Sequence, residues 1–193
     1  MRTGSQQTAD AQEGPGKGDR ERVTLDDGTP VLLRPIRPTD APQLQAGLLR
    51  LSERTRYLRF LGPRTRFSSE ELRFLTEVDG EAHFALAAFA LPSLLLVAVG
   101  RFIRGGAAAA ELALVVADDL QGKGLGGLLM ARLSEAALER DVTSFTGVIL
   151  EENRPMRSLL RKLGARVGLA SHGVCEVELT LAAARQQGGA VAL

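Results

Sequence analysis

The sequence predicts a mixed α/β domain in which helices flank one β-sheet. Strand-like segments joined by turns dominate the first half of the chain, and a strand–helix–strand–helix–strand series follows in the second half. Apolar residues make up 45% and charged residues 24% of the 193 residues, which is typical of a chain that buries one hydrophobic core. The length therefore predicts a single domain with short tails.

The charge balance and the scarcity of metal-binding side chains exclude several classes of protein. Lysine and arginine total 24, and aspartate and glutamate total 23, so the net charge of +1 lacks the basic excess of a dedicated nucleic-acid binder. One cysteine rules out an intrachain disulfide framework, and two histidines leave little for metal chemistry. We expect neither a nucleic acid nor a metal ion as a partner.

The two ends of the chain differ in composition from its centre. Residues 1–21 are rich in Gly, Gln and charged residues and contain no hydrophobic stretch, which predicts a disordered tail and no secretory signal. Residues 22–182 carry the strand and helix patterns of the domain, and residues 183–193 are expected to be flexible. Without a signal peptide, the default expectation is a cytoplasmic location.

The first half of the domain predicts a hairpin, three helices and two further strands. The Asp27-Gly28 turn predicts the hairpin, and Pro35 in its second strand (31–36) favours the edge of a sheet. The uncharged run 84–100 is shorter than the about 20 apolar residues of a spanning helix, and Pro92 interrupts it, so it predicts two strands and no membrane segment. The three helices are expected to begin at the capping residues Asp40, Ser52 and Ser69 and to end near Leu51, Gly62 and Glu77.

The second half alternates strands with helices. Strands are predicted over residues 110–117, 143–150 and 174–181 from their apolar and alternating patterns. Asn153 is expected to cap a helix that ends at Gly164. The helix that follows the first of these strands presents one apolar face, made by Leu125, Leu129, Leu133, Ala136 and Ala137.

Four glycines fall within residues 121–127, between a predicted strand and a predicted helix. A turn without Cβ atoms lets a ligand approach the backbone, and the free N–H groups of the helix that follows favour a phosphate or pyrophosphate. A tight connector without a ligand is one alternative. Another is a dinucleotide site, since Gly122, Gly124 and Gly127 satisfy G-x-G-x-x-G. However, the acidic residue expected about 20 positions later is misplaced, and too little chain follows for a doubly wound sheet.

Three linked segments resemble the GCN5-related N-acetyltransferase (GNAT) superfamily. Residues 121–126 (Q-G-K-G-L-G) match its Q/R-x-x-G-x-G/A signature, the preceding strand resembles its central strand, and residues 153–164 resemble its N-x-x-x-x-x-L-x-x-K-x-G block. The resemblance implies a mixed, mostly antiparallel sheet flanked by helices, with acetyl-CoA as acyl donor and no metal. It places the cofactor on Leu114, Val115, Val116, Gln121, Gly122, Lys123, Gly124, Leu125, Gly126, Gly127 and Asn153.

A narrower likeness is to the acetyltransferase domain of bacterial Pat-type protein lysine acetyltransferases, through residues 110–122, 52–60 and 153–156. That likeness implies Glu111 as the general base and surface lysines as acceptors, for example on an acyl-CoA synthetase. On its strand Glu111 shares a face with Ala113 and Val115, and partial desolvation by these small side chains is expected to favour proton uptake.

The general acid stays unassigned, because Leu160 occupies the position where many relatives have a tyrosine. Two other functions remain open at this point. One is a small-molecule amine N-acetyltransferase, and the other is a non-catalytic acyl-CoA-binding sensor.

Overall fold

The computed structural model describes residues 20–181. The tails predicted to be disordered or flexible lie outside this range, except for residues 20 and 21, and Glu21 already begins the first strand. Within residues 20–181, no helix combines the length and the apolar character needed to span a bilayer.

A mixed, mostly antiparallel sheet forms the centre of the fold, which confirms the predicted class. The strands lie in the order β1-β2-β3-β4-β5-β6-β8-β7, and β5–β6 is the parallel pair. Their bounds are β1 Glu21–Thr24, β2 Pro30–Pro35, β3 His83–Ala90, β4 Leu95–Arg104, β5 Ala109–Val116, β6 Ser144–Leu150, β7 Arg166–Val167 and β8 Val174–Thr180.

Helices cover both faces of the sheet. Alternate residues of β3 divide between two cores: Ala87 and Phe89 pack towards α1–α3, and Leu86 and Ala88 pack towards α4. A smaller apolar cluster joins α5 to β6 and β8 on the α4 side. The helices are α1 Ala41–Arg50, α2 Glu53–Phe60, α3 Ser69–Thr76, α4 Leu125–Leu138 and α5 Arg154–Lys162.

Several element boundaries differ from the prediction for local reasons. Pro35 predicted an edge position for β2, but β2 lies inside the sheet and β1 forms the edge. The pairing of β2 with β1 ends at Leu33, so the missing N–H of Pro35 removes no hydrogen bond to β1. α3 is capped by Ser68 rather than Ser69, because Ser68 and Glu71 form a capping box. The two-residue strand β7 was not predicted, since two residues show no periodicity.

β5 and β6 part soon after they pair. Their ladder runs only from Ala109 opposite Ser144 to Glu111 opposite Thr146, although both strands continue beyond it. β6 remains paired with β8 up to Leu150. A wedge-shaped gap therefore opens in the middle of the sheet, and we call it the β5–β6 gap.

Candidate active site

Backbone groups of β5 line one side of the β5–β6 gap. The N–H of Ala117 donates to the carbonyl of Val97 on β4 at 2.7 Å, and two residues earlier the backbone groups of Val115 point the same way. The backbone N–H and C=O groups of successive residues alternate in direction along a strand. The backbone groups that face the gap therefore belong to Leu112, Leu114 and Val116. Of the three strand residues predicted to hold the cofactor, Val115 is thus the one whose backbone faces away from the gap.

Residues 121–127, which we call the glycine turn, follow the end of β5 where the strands have separated. Gly122 and Gly124 have φ angles of +76° and +85°, in the left-handed region that favours glycine. A Cβ atom on Gly124 would lie 2.8 Å from Oδ2 of Asp26, and one on Gly126 would lie 3.5 Å from Cδ2 of Leu159. Glycine therefore permits both the backbone conformation of the turn and the close approach of the β1–β2 hairpin.

The N–H groups of the glycine turn are free for a ligand. α4 begins at Leu125 with Gly124 as its cap and has no side-chain cap. Within the part of the chain that the structure describes, no N–H of residues 122–127 donates a hydrogen bond. Together with the dipole of a helix of 14 residues, these groups form a site suited to a phosphate.

Two side chains of the glycine turn contact other parts of the protein. The amide nitrogen of Gln121 donates to the carbonyl of Val116 at 3.0 Å and to Oγ1 of Thr55 at 3.3 Å. Nζ of Lys123 lies 2.9 Å from Oδ2 of Asp27, and this hydrogen bond, together with those from Thr29, lowers the pKa of Asp27 to about 2. Gln121 therefore connects the turn to the end of β5 by a hydrogen bond, and Lys123 forms an ion pair with the β1–β2 hairpin.

Asp118 joins the glycine turn to α2, a link that sequence reasoning missed. Its carboxylate accepts hydrogen bonds from the N–H and the hydroxyl of Ser52, at 2.9 and 2.6 Å, and from the hydroxyl of Thr55 at 2.6 Å. Partial burial opposes ionisation, but these hydrogen bonds outweigh it and hold the pKa of Asp118 below its ordinary value. No local pattern could reveal this contact, because its partners lie far apart in sequence.

Glu111 lies where the β5–β6 ladder ends, at the apex of the gap. It stands opposite Ile103 on β4 and Thr146 on β6, on the sheet face that carries α1–α3. Ala113 and Val115 share this face, as predicted. The expected desolvation was wrong, because the Glu111 residue is exposed to solvent. An exposed carboxylate at this point is accessible to a molecule that arrives from solvent.

Two cationic side chains, of which Arg101 is buried, lie near Glu111. Nη1 of Arg101, which is 4% exposed, donates to the carbonyl of Leu75 and to Nε2 of His83, both at 3.0 Å. Burial and the charge of Arg59 lower the pKa of Arg101 to about 10. Burial also lowers the pKa of Arg59, and the charge of Glu111 opposes that shift. Because arginine only donates, Nε2 of His83 accepts, and the ring proton is on Nδ1.

Residues 153–164 supply a helix cap and a core residue. Oδ1 of Asn153 accepts from the N–H of Met156 at 3.2 Å and so caps α5. The amide nitrogen of Asn153 has no hydrogen-bond partner among residues 20–181, which leaves it available to a ligand. Leu160 is 1% exposed and packs against β6 and β8, so it contributes to the core rather than to proton transfer.

The β5–β6 gap and the glycine turn together suit one extended ligand. Backbone groups along the gap can pair with amides, and the free N–H groups of the turn can bind phosphates. Acetyl-CoA has this arrangement, with amides in its pantetheine arm and a pyrophosphate beyond them. The residues present therefore fit the acyl donor that GNAT acetyltransferases use.

Comparison with known proteins points to the same family. The sequence model described as "Acetyltransferase (GNAT) domain" matches residues 31–166. Acetyltransferase Pat of Mycolicibacterium smegmatis is 36% identical over 135 residues, which are 69% of this chain and 40% of that protein. This chain therefore spans less than half of the length of that relative.

Two further relatives are covered over most of their length. Acetyltransferase PA5475 of Pseudomonas aeruginosa is 35% identical over 153 residues, which are 77% of this chain and 81% of that protein. The crystal structure of the GNAT domain of S. lividans PAT superposes with a TM-score of 0.79 at 26% identity, covering 86% of this chain and 99% of that one. Sequence, site geometry and fold agree, and the chain belongs to the GNAT family of acetyltransferases.

Proposed function

We propose that this domain transfers the acetyl group of acetyl-CoA to lysine side-chain amines of proteins, with Glu111 as the general base. The single observation that carries the proposal is the exposed carboxylate of Glu111 at the apex of the β5–β6 gap. The gap can hold the acyl donor on one side of this carboxylate, and the acceptor can arrive from solvent on the other side.

The surroundings of Glu111 favour a lysine on a protein surface over an enclosed small amine. Phe74 is 56% exposed and its ring lies 4.9 Å from that of His83, while Val148 is 50% exposed on β6. By strand alternation Val148 shares the face of Thr146, which stands opposite Glu111. Exposed apolar side chains on both sides of an open carboxylate suit the aliphatic stem of lysine.

The chemistry requires a neutral amine. A lysine with a pKa of about 10.4 is almost fully protonated at neutral pH, so a base must remove its proton. Glu111 takes that proton, directly or through water, while the amine nitrogen forms a bond to the acetyl carbon. The bond from that carbon to sulfur then breaks, and the thiolate of CoA takes up a proton from solvent.

Substituting Glu111→Gln tests the proposal. We expect kcat to fall by about 10²–10⁴-fold at pH 7, which is the usual contribution of a general base. The Kd for acetyl-CoA should stay unchanged, because the glycine turn is intact. The variant should regain rate as the pH rises towards about 10, since free lysine then loses its proton unaided.

Thiol release from acetyl-CoA measures the rate, and mass spectrometry locates the acetylated residue. The acceptors are an acyl-CoA synthetase and a panel of small amines that includes a polyamine. Glu139→Gln, an exposed glutamate at the far end of α4, is the matched control and should leave the rate unchanged. Release with small amines alone, or an unaltered rate in Glu111→Gln, would contradict the proposal. Tight acetyl-CoA binding without release would indicate a sensor.

A further inference from the structure

The outward side of α5 carries a dense group of cations. Arg154, Arg157, Arg161 and Lys162 recur at helical spacing, and with Ser158 they line a concave patch that we call the α5 basic face. The opposite side of the helix is apolar and packs into the core. Arg154, Arg161 and Lys162 are exposed, whereas Arg157 is half-buried.

The cations of the α5 basic face lack acidic partners in the described part of the chain. Among residues 20–181 none of the four forms an ion pair, whereas Arg64, Lys123 and Arg132 on other elements all do. Like charges at this spacing repel one another and destabilise the helix. A repulsive cluster without counter-charges is suited to an external anion.

Arg157 adds a second, independent sign of a missing partner. Its Nη1 donates to the carbonyl of Glu151 at 2.9 Å, which fixes the side chain against the start of the helix. Its Nε is buried and donates no hydrogen bond within the described part of the chain. A buried donor left without an acceptor is costly, and rotation of the guanidinium towards the α5 basic face would bring this N–H to an anion bound there.

The α5 basic face lies one helix away from the phosphate site of the glycine turn. The side chain of Leu159 packs beside Gly126, so the start of α4 and the middle of α5 are in contact. In CoA the ribose links the pyrophosphate to a further phosphate on its 3′ oxygen. A CoA whose pyrophosphate lies on the turn therefore has a second phosphate within reach of α5.

We propose that the α5 basic face binds the 3′-phosphate of CoA. The proposal rests on the use of acetyl-CoA in the proposed function. It implies that this domain selects CoA over dephospho-CoA, and over acyl groups carried by phosphopantetheine on a protein. The pyrophosphate and the pantetheine arm are common to CoA and dephospho-CoA, so the selection lies in the contacts of α5.

Removing the phosphate and the cations in combination tests the proposal. Titration calorimetry gives the Kd of CoA and of dephospho-CoA for the wild-type chain, for the double variant Arg154→Gln/Arg161→Gln, and for Arg66→Gln, an exposed cation before α3. Wild type should bind CoA at least about tenfold more tightly than dephospho-CoA, as expected for a charge-assisted hydrogen bond. That preference should be lost in the double variant, retained in Arg66→Gln, and reduced by added salt in the wild type.

Three results would overturn the assignment. Equal binding of CoA and dephospho-CoA by the wild type would show that the 3′-phosphate is not recognised. A preference that survives in the double variant would place its site elsewhere. Equal weakening of both ligands in a variant that circular dichroism shows to be folded would also exclude a specific contact. Protein acetylation by the wild type is independent of these outcomes, so failure here is distinguishable from failure of the proposed function.

Discussion

His83 shows how a single buried side chain can make stability depend on pH. Burial, and then the charge of Arg101, lower the pKa of His83 below its ordinary value of about 6.5. As the pH falls, the unfolded chain therefore takes up this proton before the folded chain does. The stabilising contribution is complete above about pH 6.5 and is lost as the pH falls towards the pKa of the folded state.

The variant His83→Gln is expected to remove this pH dependence. Its Oε1 can still accept from Arg101, but it does not titrate. Urea unfolding at pH 7.5 and at pH 5 should show a smaller difference in unfolding free energy for the variant than for wild type. His172→Gln, which changes an exposed histidine, is the control and should behave as wild type does. The same pH difference in His83→Gln and wild type would refute the explanation.

At the scale of the element, α2 is attached to the glycine turn through Asp118. Asp118→Ala removes three hydrogen bonds, including two to Ser52 at the start of the helix. Because the site is exposed, we expect a loss of only about 1–2 kcal/mol of unfolding free energy. The looser turn should also weaken acetyl-CoA binding by several-fold.

Asp119→Ala is the matched control for this prediction. Asp119 is the exposed neighbour of Asp118, and its carboxylate makes no hydrogen bond within residues 20–181. Chemical denaturation and acetyl-CoA titration should separate the two variants. If both behave as wild type does, the link between α2 and the turn carries no energy.

Local patterns predicted the elements better than they predicted the contacts between them. The caps at Ser52 and Asn153 and the glycine turn were visible because a helix start depends on a few adjacent residues. The parting of β5 and β6 was not visible, since it depends on how two distant strands pair. The exposure of Glu111 was also missed, because small neighbours on one strand do not determine what covers the sheet.

At the scale of the whole molecule, paired carboxylates determine the response to acid. Asp40 is 3% exposed; burial opposes its ionisation, but Arg34 at 2.7 Å and the N–H of Arg37 at 2.8 Å outweigh it and hold its pKa below the ordinary value. The same direction holds for Glu21, Glu71, Asp79 and Asp118. Stability should therefore be complete above about pH 4.5 and fall as the pH drops through the pKa values of the folded state.

Asp40→Asn tests the contribution of Asp40, the buried carboxylate of this set. We expect it to cost about 3 kcal/mol at pH 7, because Arg34 keeps a buried charge without a counter-charge. Its stability should also fall less steeply between pH 5 and about pH 3 than that of wild type. Thermal unfolding across this range measures both effects, with Asp119→Asn as the neutral comparison. A wild-type acid profile in Asp40→Asn would mean that other carboxylates dominate.

The short ladder between β5 and β6 lowers the stability of the sheet and leaves open the space proposed for the acyl donor. A variant that extended the pairing beyond Glu111 would add hydrogen bonds to the backbone groups of β5 that face the gap and would make the sheet continuous. It would also close the space in which we place the acyl donor. Under the proposed function, selection for a more stable sheet and selection for turnover therefore oppose each other at these positions.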